Sequence, residues 1–346
     1  MLDQSLNLKA NRRQFLIGSA AAMAGGLAMP AIARAETKSI SVNSWGGSWL
    51  DSARANLFDP FTAETGIKIE TVSPVSFAKL AAQVKTGVYE FDVTTLGAAE
   101  LLRANQSGLL EDLEEPYPGG LLQNGVGSHA FGTLMGWRSD KYGTEPKSWA
   151  DFWDVERFPG TRSLQRYPAR VLPIALLADG VAKKDLYPLD VNRAFASLDR
   201  IKKHVVVWWT AGEQSAQILR DGEVDMIGIW NSRYFSAQDA GAPVAMTWNQ
   251  CVLDKAYWVV AKGTPNAEAA KAFVKFATSP KPLAGFTLAQ QDGPLNPAAL
   301  EFIDPTKAER MPTNTVYADL VVSQDIENFG IDPAELSERF EEWILS

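Results

Sequence analysis

The sequence predicts an α/β protein with two domains, and three observations support this fold class. Short apolar runs alternate with segments whose apolar residues recur at helical spacing from Lys38 onward. The chain has 346 residues, which exceeds a typical single core and suits two domains with a cleft between them. Its single cysteine, Cys251, excludes an intramolecular disulfide framework, so stability must come from core burial.

The first part of the chain predicts three strands, each followed by a helix. The strands are expected at 39–43, 67–72 and 91–96, and the helices at 50–61, 78–85 and 98–105, each helix closed by a glycine. This repeat favours a largely parallel, doubly wound sheet. Because ligands bind beyond the carboxyl ends of such strands, Trp45 and the glycines beside it are candidate site residues.

The second part opens with a Pro/Gly-rich connection at 114–130 and a strand at 133–138 that crosses to the second domain. Helices are expected at 148–153, 171–177, 210–220 and 269–276, and strands at 224–230 and 257–261. Between the last two strands lie polar and aromatic residues that neither strand can bury, among them Trp230, Asn231, Arg233, Trp248 and Asp254. Polar groups at strand ends are typical of a binding site.

The N-terminus carries an export signal. Residues 11–16, NRRQFL, form a twin-arginine motif, followed by an uncharged run and the cleavage pattern Ala33-Arg34-Ala35. We expect cleavage after Ala35 and a mature protein in the periplasm. The alternative, a short transmembrane anchor, is disfavoured because the run is only about 17 residues long and weakly hydrophobic.

Charge and motifs narrow the classes of function. The formal charge is -8, and the chain after residue 35 carries 29 basic and 40 acidic residues, so nucleic acid and anionic membranes are not expected partners. The two histidines, His129 and His204, and one cysteine give no metal-ligand spacing, and no nucleotide-binding or nucleophile motif is present. We therefore expect no cofactor, no metal and no enzymatic activity, with catalysis kept as the competing class.

Several stretches together resemble one known family. They are FTAETGIK at 61–68, SWADFW at 148–153, DGEV at 221–224 leading into IWN at 229–231, AGAP at 240–243, Asp254 before a strand, and 276–280. In this order and spacing they resemble the periplasmic solute-binding proteins of ABC importers, in the spermidine/putrescine-binding branch. The resemblance implies a two-lobed periplasmic-binding-protein-like fold of type II, with doubly wound sheets joined by hinge strands.

The resemblance also implies a set of ligand contacts. Trp45 and Trp230 match the family's aromatic walls, and Asp254 matches the carboxylate that takes an ammonium group. The chemistry is consistent, since an ammonium over a tryptophan face gains about 0.5 to 2 kcal/mol and a carboxylate adds a charge-assisted hydrogen bond. Alternatively, Asp254 is an exposed loop carboxylate or the partner of Lys255.

The other end of the expected site departs from the family. Where polyamine binders carry acidic residues, this chain has LQRYPARV at 164–171, which puts Tyr167 and Arg170 at the two acidic positions and includes Arg166. The Trp230-Asn231 motif also continues into Ser232 and Arg233. Arginine binds a carboxylate bidentately. A site with Asp254 at one end and arginine at the other suits a zwitterion, such as 4-aminobutyrate or a betaine, and would reject diamines. The arginines could instead be surface residues paired with Asp or Glu.

Other cargoes and roles stay open at this point. A spermidine/putrescine carrier is the main alternative, ferric-ion or oxyanion binding is another, and a signalling receptor would use the same closure. We expect a monomer that captures its ligand between two lobes and is recognised by an ABC permease in the inner membrane. The predicted segments are a signal peptide at 1–35, the first lobe at 36–137 and again at 256–346, and the second lobe at 138–255; which lobe takes the last helices is open.

Overall fold

A computed structural model describes residues 39–114, 116–117 and 120–346 of the chain. The predicted twin-arginine signal at 1–35 lies outside the described residues. The strands of the described chain join in one mixed sheet of eleven strands. They are β1 Ser39–Asn43, β2 Lys68–Val72, β3 Val93–Gly97, β4 Leu121–Leu122, β5 Gly125–Arg138, β6 Arg162–Gln165, β7 Val205–Trp209, β8 Met226–Trp230, β9 Val244–Val260, β10 Gly293–Pro294 and β11 Val322–Ser323.

Helices alternate with these strands along the described chain. They are α1 Ser48–Ala53, α2 Asp59–Thr65, α3 Phe77–Thr86, α4 Ala98–Gln106, α5 Trp149–Trp153, α6 Pro168–Ala178, α7 Val191–Ile201, α8 Gly212–Arg220, α9 Asn231–Asp239, α10 Ala267–Ala277, α11 Pro280–Gln290, α12 Pro305–Ala308 and α13 Pro333–Leu345. A π-helical segment, Arg54–Phe58, joins α1 to α2, and short 3₁₀ turns occupy Lys183–Asp185, Lys202–His204, Pro297–Phe302 and Thr315–Tyr317.

The sheet has a parallel group on each side of two long antiparallel strands. Its order is β2-β1-β3-β9-β5-β8-β6-β7. β1 pairs in parallel with β2 and β3, and β6 pairs in parallel with β7 and β8. β5 and β9 run antiparallel between the two groups. The alternation of strands and helices read from the sequence is thus confirmed, and it occurs twice.

Two lobes follow from this pairing and from the packing. We call lobe 1 the part built on β1, β2 and β3, and lobe 2 the part built on β6, β7 and β8. Each lobe has its own buried apolar clusters, around Phe61, Phe273 and Leu101 in lobe 1 and around Leu172 and Tyr234 in lobe 2. The predicted two-lobed α/β fold is confirmed.

The long strands carry the chain from one lobe to the other. Ala256–Val260 of β9 pair with β3 in lobe 1, whereas Thr133–Trp137 of β5 pair with β8 in lobe 2. The crossing therefore lies near 130–133 and 252–255. The expectation of a Pro/Gly-rich connection up to residue 130 was wrong in its second half, because the glycines of 125–138 lie within one long strand.

The C-terminal helix belongs to lobe 2. Asp332 caps α13 by accepting from the Ala334 amide at 2.8 Å, and Pro333 occupies its first turn. Leu336 and Phe340 of this helix are fully buried in the same apolar cluster as Leu172. This apolar face packs the last helix against lobe 2.

Candidate ligand-binding site

Asp254 lies where the chain crosses between the lobes. It sits in β9 directly opposite Phe131 of β5, so both side chains point to the same face of the sheet. Only 9% of Asp254 is exposed. A carboxylate this deeply buried needs a charged or hydrogen-bonding partner.

That partner is Arg170, in the first turn of α6. Its Nε donates to Oδ2 of Asp254 at 2.7 Å, and a terminal guanidinium nitrogen contacts the same oxygen. The two side chains are 18% and 12% exposed, so the ion pair is largely shielded from water. Pro168 starts α6 immediately after the Tyr167 position, and this fixes the direction in which Arg170 projects.

An aromatic cluster surrounds this ion pair. The Arg170 guanidinium carbon lies 5.1 Å from the ring centroids of Phe131 and Tyr167 and 5.6 Å from that of Trp230. Tyr167 stacks on Trp230 with centroids 6.1 Å apart, and Trp209 packs edge-on against Trp230 at 5.0 Å. We use the name aromatic cluster for Phe131, Tyr167, Trp209 and Trp230.

The arrangement of charges differs from the one expected from sequence. The carboxylate of Asp254 and the guanidinium of Arg170 were expected at opposite ends of the site, but in this structure they contact each other. The reason is geometric: α6 begins just after the carboxyl end of β6, and this places Arg170 next to the part of β9 that crosses between the lobes. Each group thereby neutralises the other inside an apolar, aromatic setting.

The other predicted residues lie outside this contact. Arg166 pairs with Glu341 of α13, with its Nε 2.9 Å from Oε1, and its side chain is 33% exposed. Arg233 of α9 pairs with Glu213 of α8, whose side chain is 75% exposed. Trp45 follows β1 in lobe 1 and is 50% exposed. The structure thus brings Tyr167, Arg170, Trp230 and Asp254 together and gives Arg166 and Arg233 other partners.

Glu100 approaches the pair from lobe 1 and was not singled out in the sequence. It is the third residue of α4, and its Oε2 accepts from the Gly97 amide at 3.3 Å. The pKa of Glu100 is raised, mainly because the surrounding protein displaces water from its carboxylate and further because of the negative charge of Asp254. Part of the residue nevertheless stays exposed. The Gly97 amide, Arg103 and Arg170 act in the opposite direction. The sequence did offer a signal for Glu100, because it is an acidic residue in the first turn of a helix that directly follows a strand.

The charge of Asp254 also contributes to raised pKa values of two tyrosines. Burial raises the pKa of Tyr257 to about 12, and Asp254 and Glu327 add to this effect. The pKa of Tyr187 is raised by burial, then by Asp325 and Asp254. The residues around Asp254 therefore come from both lobes and from the segment before α13.

A second pair of buried polar residues lies next to the crossing between the lobes. Asp292 and His129 are 7% and 5% exposed, with His129 Nε2 3.8 Å from Asp292 Oδ2. Burial raises the pKa of Asp292 to about 8, opposed by Arg233, and lowers the pKa of His129 to about 4. Both side chains are therefore neutral at pH 7, so their contact is not an ion pair.

Within 39–114, 116–117 and 120–346, no group of three or more His, Cys, Asp or Glu side chains is placed to hold a metal ion. Cys251 is fully buried, and burial raises the pKa of its thiol. In the same part of the chain, no helix combines the length and apolar character that crossing a bilayer requires.

Comparison with known proteins identifies the family. The model for bacterial extracellular solute-binding proteins matches residues 56–313. The gamma-aminobutyric acid-binding protein of Pseudomonas aeruginosa is 35% identical over 332 residues, which cover 92% of this chain and 94% of that relative. The spermidine/putrescine-binding periplasmic protein of Escherichia coli is 24% identical over 220 residues, covering 58% of this chain and 62% of that relative.

Solved structures agree with this result. An ABC transporter substrate-binding protein from Bradyrhizobium japonicum USDA 110 aligns with a TM-score of 0.82 at 33% identity, over 89% of this chain and 99% of that chain. The Atu4243-GABA receptor aligns with a TM-score of 0.83 at 32% identity, over 88% of this chain and 97% of that chain. Because the family model matches most of the chain and these relatives match nearly end to end, the chain belongs to the bacterial extracellular solute-binding protein family.

Proposed function

We propose that this protein captures a small zwitterion in the periplasm, with 4-aminobutyrate or a related ω-amino acid or betaine as the ligand, and presents it to an ABC permease in the inner membrane. The observation that carries the proposal is the Arg170–Asp254 ion pair inside the aromatic cluster. The gamma-aminobutyric acid-binding relative and the Atu4243-GABA receptor support it.

The ion pair favours a ligand that carries one charge of each sign. A zwitterion can exchange with the pair, because its ammonium replaces the guanidinium at Asp254 while its carboxylate binds the released guanidinium of Arg170. Every buried charge then keeps a partner, which avoids the several kcal/mol that an unpaired buried charge costs. The rings of Tyr167 and Trp230 would cover the methylene groups and the ammonium.

A diamine meets a less favourable set of charges. Its first ammonium would take Asp254, but nothing in the ligand would then pair with Arg170, and its second ammonium would face a like charge. We therefore assign the carboxylate subsite to Arg170. The neighbours of Arg166 and Arg233, Glu341 and Glu213, already supply those side chains with acidic partners.

Spermidine or putrescine is the second candidate ligand. One specific observation favours it: Glu100 lies close enough to Asp254 to raise its own pKa through their like charges, so two carboxylates could receive amines. The matches to spermidine/putrescine-binding proteins point the same way at lower identity. The panel of ligands below separates the two candidates.

Capture would occur by closure of the lobes on the ligand. We propose lobe boundaries at 39–137 with 256–316 and at 138–255 with 317–346, which differ from the division read in the sequence by assigning the chain from Tyr317 onward, with the C-terminal helix, to lobe 2. A ligand held by Asp254 at the crossing, by Arg170 of lobe 2 and by Trp45 or Glu100 of lobe 1 would favour the closed state. We propose that the protein acts as a monomer.

Calorimetric titration of the mature protein tests this assignment. The panel contains 4-aminobutyrate, 5-aminopentanoate, glycine betaine, putrescine and spermidine, each with wild type, Arg170→Ala and Asp254→Asn. We expect a zwitterion to bind most tightly and to lose about a hundredfold in affinity in each variant, since truncating one partner of a buried charged contact costs about 2 to 5 kcal/mol.

The exposed Arg310–Asp239 ion pair supplies matched controls. Its side chains are 40% and 47% exposed, so Arg310→Ala and Asp239→Asn remove the same charges at a solvated position. We expect both controls to bind as wild type does. Preferential binding of putrescine over every zwitterion, unaffected by Arg170→Ala, would show that the protein is a polyamine carrier instead.

A further inference from the structure

Asn231 has a role that ligand contact does not explain. It is the first residue of α9, directly after Trp230, and it is fully buried. Its side chain makes two hydrogen bonds to distant backbone: Oδ1 accepts from the Gly132 amide at 2.8 Å, and Nδ2 donates to the carbonyl of Gln291. These partners are 99 and 60 residues away in sequence, so the side chain is not a local helix cap.

The bond to Gly132 extends the sheet at the crossing between lobes. Thr133 pairs with Trp230 at the end of the β5–β8 ladder, and the next residue pair would be Gly132 with Asn231. The Asn231 side chain therefore takes the place of a strand partner where β8 has ended. Register shifts in the β5–β9 ladder lie on either side of this point, between Gly127 and Ala130 and between Thr133 and Met135.

The bond to Gln291 reaches into lobe 1. Gln291 ends α11 in a left-handed conformation, with φ 58° and ψ 29°, which aims its carbonyl at lobe 2. α11 packs in lobe 1 through fully buried Leu283 and Phe286. The side-chain amide of Asn231 thus connects three parts of the protein: the crossing strand β5, the end of β8 at Trp230 in lobe 2, and the end of α11 in lobe 1.

The bond to Gly132 is buried and the bond to Gln291 is partly buried, which restrains the connection. A buried amide that loses a partner leaves an unpaired polar group, at a cost that exposed hydrogen bonds do not carry. Gly132 also fits tightly, since a Cβ atom there would lie 2.4 Å from Cys251 Sγ. The backbone at this joint therefore has little room to shift.

We propose that Asn231 is a positioning residue that acts as the pivot between the lobes, holding the Trp230 wall at a fixed position relative to α11 while the lobes rotate. The inference rests on the proposed function in one respect, that the lobes close on a ligand. Loss of the pivot would let the lobes sample wider openings and would lower ligand affinity, because less of the protein would be poised to close.

The test replaces Asn231 by Asp, which keeps the size and the acceptor for Gly132 but sets an oxygen against the Gln291 carbonyl. Asn231→Ser is the second variant, for the case in which Asp prevents folding. Asn249→Asp is the matched control, because its Nδ2 donates at 2.9 Å to the Lys147 carbonyl, a contact within lobe 2. Two properties are measured: the radius of gyration of the ligand-free protein by small-angle X-ray scattering, and the affinity for 4-aminobutyrate.

We expect the Asn231 variants to have a larger ligand-free radius of gyration than wild type and about tenfold weaker binding, with the same order of ligands, whereas the control changes neither. An unchanged ligand-free radius of gyration in both variants would overturn the pivot. The scattering measurement needs no ligand, so a wild type that binds no zwitterion would refute the proposed ligand while the scattering result still decides the pivot.

Discussion

Replacing Arg170 by alanine should destabilise the ligand-free protein by far more than replacing an exposed arginine. The substitution leaves the Asp254 carboxylate, 12% exposed, without its cationic partner and removes the guanidinium from between three aromatic rings. Breaking a buried pair by removing one partner costs 3 to 5 kcal/mol, and the residual exposure of this pair places our expectation at the lower end, about 3 kcal/mol.

The expected shift in melting temperature follows from the size of the folded unit. The described residues from 39 onward form one compact unit, so the unfolding entropy at the midpoint is roughly 0.65 kcal/mol/K at about 2.1 cal/mol/K per residue. A loss of about 3 kcal/mol then lowers the melting temperature by about 5 °C. Differential scanning calorimetry at pH 7 without ligand resolves a shift of this size.

The double variant Arg170→Ala/Asp254→Ala separates pairing from packing. It removes both charges together, so its destabilisation should be smaller than the sum of the two single losses by about 2 kcal/mol, the coupling energy of the pair. Arg310→Ala, at an exposed pair, should stay within about 0.5 kcal/mol of wild type. Additive single losses, or an Arg170→Ala variant as stable as Arg310→Ala, would show that the ion pair is not formed in solution.

Two further predictions concern the crossing between lobes. The pKa of Asp292 is raised to about 8, so the folded protein loses stability as the pH rises from about 4 to 8, where the carboxyl is ionised only in the unfolded chain. The pKa of His129 is lowered to about 4, so the folded protein gains stability as the pH rises from about 4 to 6.5, where the imidazole is protonated only in the unfolded chain. The two effects offset each other below pH 6.5, so the free energy of unfolding, measured with denaturant, should fall by about 1.4 kcal/mol per pH unit between pH 6.5 and 8. We expect this fall to be absent in Asp292→Asn and kept in His129→Gln. A fall that persists in Asp292→Asn would contradict the assignment. Gly132→Ala should cost about 1 to 3 kcal/mol because its Cβ meets Cys251 Sγ at 2.4 Å, and adding Cys251→Ala should recover part of that loss; no recovery in urea titrations would mean that the strain lies in the backbone.

Much of the fold could be predicted because local patterns encode it. The strand at 39–43 and the helix at 98–106 match their expected positions, since apolar spacing and a terminal glycine or strand end act within a few residues. Short elements such as β6 and the helix α9 were missed, because their apolar residues are too few or their polar residues too many to give a clear period. The length of β5 was missed because its glycines are typical of turns, whereas here Gly125 allows close packing against Leu101 and Gly132 against Cys251.

The sequence by itself determined the class of protein and the chemistry available to it: an α/β chain with a twin-arginine sequence pattern, one cysteine, a net acidic charge, and an aspartate, arginines and tryptophans near strand ends. Only the tertiary structure decided which of these residues meet. Arg166 and Arg170 are four residues apart, yet one turns to Glu341 and the other to Asp254, because the start of α6 points them in different directions. Pairings across 84 and 175 residues depend on where the crossing strands and the C-terminal helix pack, and that packing is a property of the whole chain.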